Sequence, residues 1–491
     1  MLTTAIFFPF VASLAVWLVP SERQRLARRI ALAVSVIEVL IALTLWARFD
    51  PSGPSLQLRN AVAWMPSVGA SYDVALDGVN LPLVLLTAVL FTATSAYTLD
   101  KTDRAHAEVS LFGLMQTGLT GLFVTQDLLL FYLFFEVSLV PMYFVIGGWG
   151  HADRRYAALK FFLYTRAASL AMLLAFLGLY LASTPHTFSI PILAASAPLA
   201  AGTTGAALAV LGMVIGFGVK LPAFPLHNWL ADAHVEAPTE GSVILAGLQL
   251  KIGAYGFIRL LLPLLGAEAT RWRWIFIAIG AGSIVYGALA ALAQRDLKRL
   301  VAYTSISHMG FVLLATGVYA STSDPAVRQL AVSGATLQMV SHGLLTGAMF
   351  ITVGIVQDGT GTREIDALGS IFARTPALGA VMAVLAFGSL GLPGLSGFVA
   401  EFQVLGAAIS VSVAAAIVAI VGVILSTGVY LRVVSDVLMK PAREGAVAIE
   451  RPAPREVATG AVLALLSIVI GIAPSWLIHM IEPAALAFAS R

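Results

Sequence analysis

The feature that most limits what this chain can become is a long succession of apolar runs. Each is about 20 residues, the length an α-helix needs to cross a bilayer. Fourteen are readable, over 3–20, 27–49, 77–98, 108–124, 127–147, 157–182, 203–231, 239–264, 272–292, 300–320, 331–354, 376–408, 409–435 and 457–480. Only 11% of the 491 residues are charged, against 59% apolar, whereas a soluble globular chain carries about 25% charged residues. Lipid solvates apolar side chains, so a membrane protein does not need that polar surface. The expectation is an all-α polytopic membrane protein with about 14 transmembrane helices.

Two runs cannot be straight helices. The seventh holds Pro222 and Pro225, and the twelfth holds Gly391-Leu-Pro-Gly-Leu-Ser-Gly397. Both read as broken helices. The glycines of the twelfth lie between apolar helical stretches, so they read as a helix break and not as a nucleotide-binding loop.

Charge sets the expected orientation. The odd-numbered connections carry 19 of the 29 Lys and Arg residues, including Arg154, Arg155, Arg295, Lys298 and Arg299. The even-numbered ones and the C-terminus carry 7, and Arg166, Lys220 and Lys251 lie inside apolar runs. The positive-inside rule then puts both termini on the non-cytoplasmic side. The connections near 50–76 and 183–202 are expected outside. Arg23, Arg25, Arg28 and Arg29 read as ordinary topology charges. They follow the first apolar run, an order that argues against a cleaved signal peptide. A net charge of +3 is too small to suggest a nucleic-acid partner, and the absence of cysteine excludes iron–sulfur clusters, thiolate metal sites and disulfides in this chain. No metal site is expected.

Two stretches echo each other. Lys220-Leu-Pro-Ala-Phe-Pro aligns with Gly391-Leu-Pro-Gly-Leu-Ser, Arg166 occupies the place of His342, and Asp127 opens span 5 as Asp296 precedes span 10. This organisation predicts helices 1–3 over 1–106, a five-helix unit over 107–266, a second over 267–436, and a C-terminal loop and helix 14 over 437–491. An odd number of helices per unit forces the second copy to be inverted, and sites in inverted-repeat transporters lie near paired broken helices.

Spans 5, 7, 8 and 12 each carry an ionisable residue deep in an apolar run: Glu136, Lys220, Lys251 and Glu401. A charge at the bilayer centre costs at least about 2.5–3.5 kcal/mol, so such residues are paired, hydrated or neutralised, and are functional by default. The alternative for Glu136 and Lys220 is a static ion pair, and for Glu401 a place facing a loop. His308 and His342 are either hydrogen-bonded packing residues or proton carriers. His227, beside the break in span 7, is a candidate for lining a half-channel. His234 is expected near the surface. Acids and amines whose proton affinity responds to burial and to neighbouring charge suit proton transfer. The reading is that movement of Glu136 relative to Lys220 loads and unloads a proton, Lys251 passes it on, and Glu401 offers the exit.

Several motifs resemble those of a known family. Phe134-Phe-Glu-Val-Ser-Leu-Val-Pro-Met142, Val219-Lys-Leu-Pro-Ala-Phe-Pro-Leu-His-Asn-Trp-Leu-Ala-Asp-Ala-His234, Leu245-Ala-Gly-Leu-Gln-Leu-Lys-Ile-Gly253, Ser305-Ile-Ser-His-Met-Gly310 and Leu392-Pro-Gly-Leu-Ser-Gly-Phe-Val-Ala-Glu-Phe402 resemble the M-type antiporter-like subunits of respiratory complex I, NADH:quinone oxidoreductase. The resemblance runs from about 75 to 435. It implies a proton-pumping subunit without a redox centre of its own, in a bacterial inner membrane, beside L-type and N-type neighbours, with NAD, FMN, iron–sulfur clusters and quinone in partner subunits. Related multisubunit Na⁺/H⁺ antiporters and membrane-bound hydrogenases are the alternative. The resemblance also implies that Glu136 and Lys220 form the span 5/7 ion pair, Lys251 the central relay and Glu401 the terminal one. Glu401 stands where L- and N-type relatives usually have lysine. Three positions depart from the pattern. Arg166 replaces an uncharged polar residue, and either acts on Lys220 or Lys251 or bonds backbone near the end of span 6. Ala231 replaces a proline. Glu240 replaces an alanine, and is either an extra proton acceptor or a helix N-terminal charge.

Overall fold

A computed structural model describes residues 1–441 and 449–489. Part of the expected loop over 437–456 falls outside the described residues. The apolar runs become helices, and short polar side chains fix several of their starts. Asp127 caps α5 (Leu128–Trp149) by accepting from the amides of Leu129 and Leu130. Asp296 caps α13 (Leu297–Ser321) through the amide of Arg299, and Asp324 caps α14 (Pro325–Thr360) through that of Ala326. Each cap supplies an acceptor to an amide that has no partner within its own helix. Asp127 and Asp296 share a second feature. Each forms an isolated backbone bridge to a later segment, at Ser189 and Glu364 respectively.

Among the described residues, nine helical segments are long and apolar enough to cross a membrane, and five shorter apolar helices accompany them. Near the N-terminus lie α1 (Leu2–Leu14), α2 (Gln24–Ala47), α3 (Leu81–Tyr97) and α4 (Ala105–Val124). After α5 come α6 (Arg154–Ala182), the short α7 (Ile190–Ser196), and a broken pair, α8 (Thr204–Lys220) and α9 (Leu230–Glu236). The second broken pair is α16 (Pro376–Ser389) and α17 (Ser396–Val411). Both breaks fall where proline and glycine predicted them. Gly391 and Gly394 in the second have φ of +83° and +92°, a backbone region that glycine enters without steric cost. The remaining helices include α18 (Val413–Val433), α19 (Pro454–Ile472) and α20 (Ser475–Ala489). The centre of the bundle is α14, buried along its whole apolar window.

Two expectations need correction. The chain is not purely helical. The connection over 50–76 contains an antiparallel hairpin, β1 (Gln57–Met65) with β2 (Ala70–Leu76), which turns at Gly69 and is crossed by an Arg59–Asp73 ion pair of 2.6 Å. A cross-strand charge pair is one of the contacts that holds such a ribbon in register. Spans 8 and 9 are also not separated by a loop. α10 (Thr239–Ile244), α11 (Leu250–Gly256) and α12 (Leu262–Leu292) run as one helical path through wide turns at Leu245–Gln249 and Phe257–Leu261, with a kink at Leu265. The polar residues read there as a connection lie on the helix beyond the kink.

Candidate proton-transfer site

Lys220 is the last residue of α8, where the helix breaks, and its side chain is fully buried. Its Nζ donates to Oε1 of Gln249 at 3.0 Å, and Gln249 in turn donates through Nε2 to the carbonyl of Ser138 at 2.9 Å. Phe135, Phe161 and Trp229 surround the ammonium with ring centroids 5.6, 5.0 and 6.0 Å away, and the negative faces of such rings stabilise a cation. Indole Nε1 of Trp229 donates to the Val219 carbonyl, which ties the break back onto α8. Wide helical turns often mark functional sites. The turn at Leu245–Gln249 brings Gln249 to Lys220 and lies immediately before Lys251.

Glu136 does not pair with Lys220 as the resemblance implied. Its Oε1 lies 2.5 Å from Nη1 of Arg166 and accepts from Ser169 Oγ at 2.8 Å. Arg166 also donates to the Tyr132 hydroxyl at 2.9 Å. The physical reason is proximity. Glu136 and Arg166 face each other across α5 and α6, and the guanidinium reaches the carboxylate without leaving its half-exposed position. Among the described residues the Arg166 side chain makes no bond to backbone; its contacts are the Glu136 carboxylate and the Tyr132 hydroxyl.

Lys251, fully buried in α11, donates to the Ala246 carbonyl at 2.6 Å and is hydrogen-bonded to Nδ1 of His342 on α14, also at 2.6 Å. The ring of His342 stands edge-on to His308 of α13, with centroids 5.6 Å apart. Nε2 of His308 lies 3.0 Å from the carbonyl of Ser389, the last residue of α16. His308, His342, Gln338, Ser341 and Glu401 line one cavity of about 10 Å³, about the least volume that holds a water molecule. Glu401 is buried in α17 and makes no hydrogen bond or ion pair among the described residues. The structure thus brings Lys251, His342, His308 and Glu401 together around the second break. Lys220 lies at the first break, and the partly buried Glu136 of α5, though not ion-paired with it, is near enough for its charge to act on the lysine.

The accessory residues divide. His227 hydrogen-bonds through Nε2 to the Tyr286 hydroxyl at 3.0 Å and stacks on Phe224, and Nδ1 is buried without a partner. Glu240, in the first turn of α10, is buried and paired with Lys101 at 2.8 Å. His234 is not near the surface. It is fully buried, stacked on Phe350 at 4.6 Å, and both of its ring nitrogens lack partners. The break that ends at Trp229 turns α9 inward, so a residue that follows a polar stretch in sequence enters the core. Arg28 and Lys298 likewise are not exposed topology charges. Arg28 is buried against Glu108, and Lys298 is buried with Nζ donating to the Ala237 carbonyl at 2.5 Å. Gln249, His234, Lys298 and Glu108 were all missed as site candidates. Only Glu108, at the start of span 4, carried a signal that could have found it.

The fold and this site define a polytopic helical membrane protein with buried ionisable side chains gathered at two broken helices. The chain belongs to the family described as NADH:quinone oxidoreductase/Mrp antiporter, TM, whose model matches residues 125–426. It is 40% identical over 476 residues to NADH-quinone oxidoreductase subunit M of Rhodobacter capsulatus, spanning 94% of this chain and 90% of that one. Its structure is similar to a chain of respiratory complex I from Thermus thermophilus, with a TM-score of 0.89 and 28% identity over 100% of this chain and 99% of that chain. A chain of the Mrp complex from Dietzia sp. shares the fold, with a TM-score of 0.85 at 20% identity over 100% of this chain and 99% of that one.

Proposed function

We propose that this chain is the M-type antiporter-like subunit of an NADH:quinone oxidoreductase, and that it moves protons through a buried relay driven by redox chemistry in other subunits. The observation that carries the relay is the Lys251–His342 hydrogen bond, which leads to His308 and a water-sized cavity at Glu401. In this reading Lys251 is the central carrier, His342 and His308 pass the proton, and Glu401 is the terminal acid. Lys220 is the carrier at the first break, coupled through Gln249. Glu136 regulates Lys220 by exchanging between Arg166 and the lysine. Glu240 and His227 are accessory groups. NADH, flavin, clusters and quinone belong to partner subunits, with L-type and N-type chains as neighbours in the membrane.

The same reading takes fourteen spans, counting the path over 239–292 as two and each broken pair as one. The paired caps at Asp127 and Asp296 support two five-helix units over 107–266 and 267–436, between 1–106 and 437–491. Both termini face away from the cytoplasm of a bacterial inner membrane.

The test uses membrane vesicles carrying Lys220→Met in this chain. NADH-driven quinone reduction and lumen acidification are followed with and without sodium. Loss of both, independent of sodium, is the expected result. Intact NADH activity with loss of a sodium-dependent proton flux would instead assign the chain to a Na⁺/H⁺ antiporter.

A further inference from the structure

Among the buried acids outside the relay, Glu38 stands without an ion-pair or hydrogen-bond partner among the described residues. α2 presents most of its surface outward, but Arg28, Ser35, Glu38, Ala42 and Leu45 form a buried seam. Their spacing of three, four and seven residues places them on one helix face. Glu38 is 3% exposed, and its Oε1 is buried without a hydrogen bond. No ion pair reaches it among the described residues. The elements packed on α2 supply no counter-charge. α1 has no charged residue, the titratable group of α3 is Tyr97, which bonds Asp358, and α4 brings His106 and Glu108. Glu108 is itself engaged by Arg28. A bare carboxylate in such a place is too costly to persist, so Glu38 is held there as the neutral acid.

A polar route leads toward it. Between α1, α2, α3 and α4 lies a cavity of about 30 Å³, lined by Arg28, Ser35, Ser95, Thr98, Glu108 and Gln116 among others, which is room for water. Oε1 of Glu108 is buried without a hydrogen-bond donor, and the carboxyl lies beside that of Glu240. At the other end, Ser35 and Ser95 share a hydrogen bond of 2.9 Å, and Glu38 lies one turn further along the same face of α2. Ion-paired acid, water-sized cavity, hydroxyl pair and neutral acid follow in that order, and none of them touches Lys220, Lys251 or Glu401.

We propose that Glu38 is a second proton-binding site of this chain, within helices α1–α4, loaded through the cavity from Glu108 at the Arg28 end and distinct from Lys220, Lys251 and Glu401. The test reads the proton itself, in the assembled complex, by infrared spectroscopy. The wild-type minus Glu38→Gln difference should contain the carbonyl stretch of a protonated carboxyl, and the band should shift on transfer to D₂O. Ser95→Leu, which fills the cavity, should keep the band and slow its deuterium shift at least tenfold. If Glu38→Gln does not assemble, Glu38→Asp should move the band. Ser95→Val serves for the cavity in the same way. Absence of the band, or an exchange rate indifferent to filling the cavity, overturns the proposal. Neither readout depends on pumping activity, so the result is independent of the function proposed above.

Discussion

Lys251 and His342 share a hydrogen bond of 2.6 Å that joins α11 to α14 inside the bundle. With the lysine donating, Nδ1 of the imidazole is the acceptor and its proton sits on Nε2. That nitrogen is buried and has no other partner, so it is the atom from which a proton can continue toward the cavity shared with His308 and Glu401. Two groups that hand one proton between them act as a unit, and removing both costs about as much as removing either. Lys251→Met and His342→Leu should therefore each lower NADH-driven lumen acidification tenfold or more, a loss of about 1.4 kcal/mol or more in barrier terms. The double variant should be no worse. Losses that multiply in the double variant would separate the two residues.

Arg166 and Glu136 form a different kind of pair. The arginine side chain is 40% exposed, and ion pairs open to solvent contribute only about 0–1 kcal/mol to stability. Arg166→Gln should leave thermal stability within that range. It should nonetheless change pumping, because it frees Glu136 from its guanidinium. Glu136→Gln in the same background should then have a larger effect than in the parent. Equal effects of Glu136→Gln in both backgrounds would mean that Arg166 does not control the glutamate.

Much of this was legible in the sequence, for physical reasons that also explain the failures. Hydrophobic length found the helices, and Pro222, Pro225 and the Gly391–Gly397 run found both breaks, because those residues act on the backbone within a few positions of themselves. Lys220, Lys251 and Glu401 stood out because each is an ionisable group in an apolar run. The partner of a charge is another matter. Nothing local in the sequence says that Glu136 meets Arg166 and not Lys220, or that Gln249 takes the lysine, since both depend on how α5, α6 and α8 are set against one another. His234 and Lys298 were misplaced because the segments around them are polar and their inward turn comes from α9. Glu38, like Glu108, was missed despite a plain signal, a carboxyl in a run otherwise free of acids.

Lys101 and Glu240 link the connection before α4 to the first turn of α10 at 2.8 Å. Burial opposes the charge on Lys101, but Glu240 more than offsets it and holds the amine above its ordinary value of 10.5. A lysine raised in the folded state contributes stability that is complete below pH 10.5 and is lost only as pH rises through the higher folded value. Lys101→Met leaves Glu240 buried without its partner; since the lysine is 36% exposed and water can partly replace it, the loss is about 1–3 kcal/mol. Thermal unfolding of the purified complex should show the same defect at pH 6 and pH 9. A defect that disappears at pH 9 would mean that the lysine is already neutral there.

Gly391 and Gly394 provide a matched pair for testing Glu401. Both lie in the break between α16 and α17 with positive φ, so alanine at either site carries a backbone cost of about 1–3 kcal/mol. Their surroundings differ. A Cβ at Gly391 would come within 2.8 Å of Oε2 of Glu401, whereas one at Gly394 would meet nothing within 4 Å. Gly394→Ala thus reports the strain alone, and Gly391→Ala reports the strain together with displacement of the carboxyl. The two variants should lose similar thermal stability, while proton pumping falls severalfold only in Gly391→Ala. Glu401→Gln should remove that difference, because the displaced group would no longer carry a proton. If Gly394→Ala lowers pumping as much as Gly391→Ala, the sensitive element is the backbone of the break and not the acid beside it.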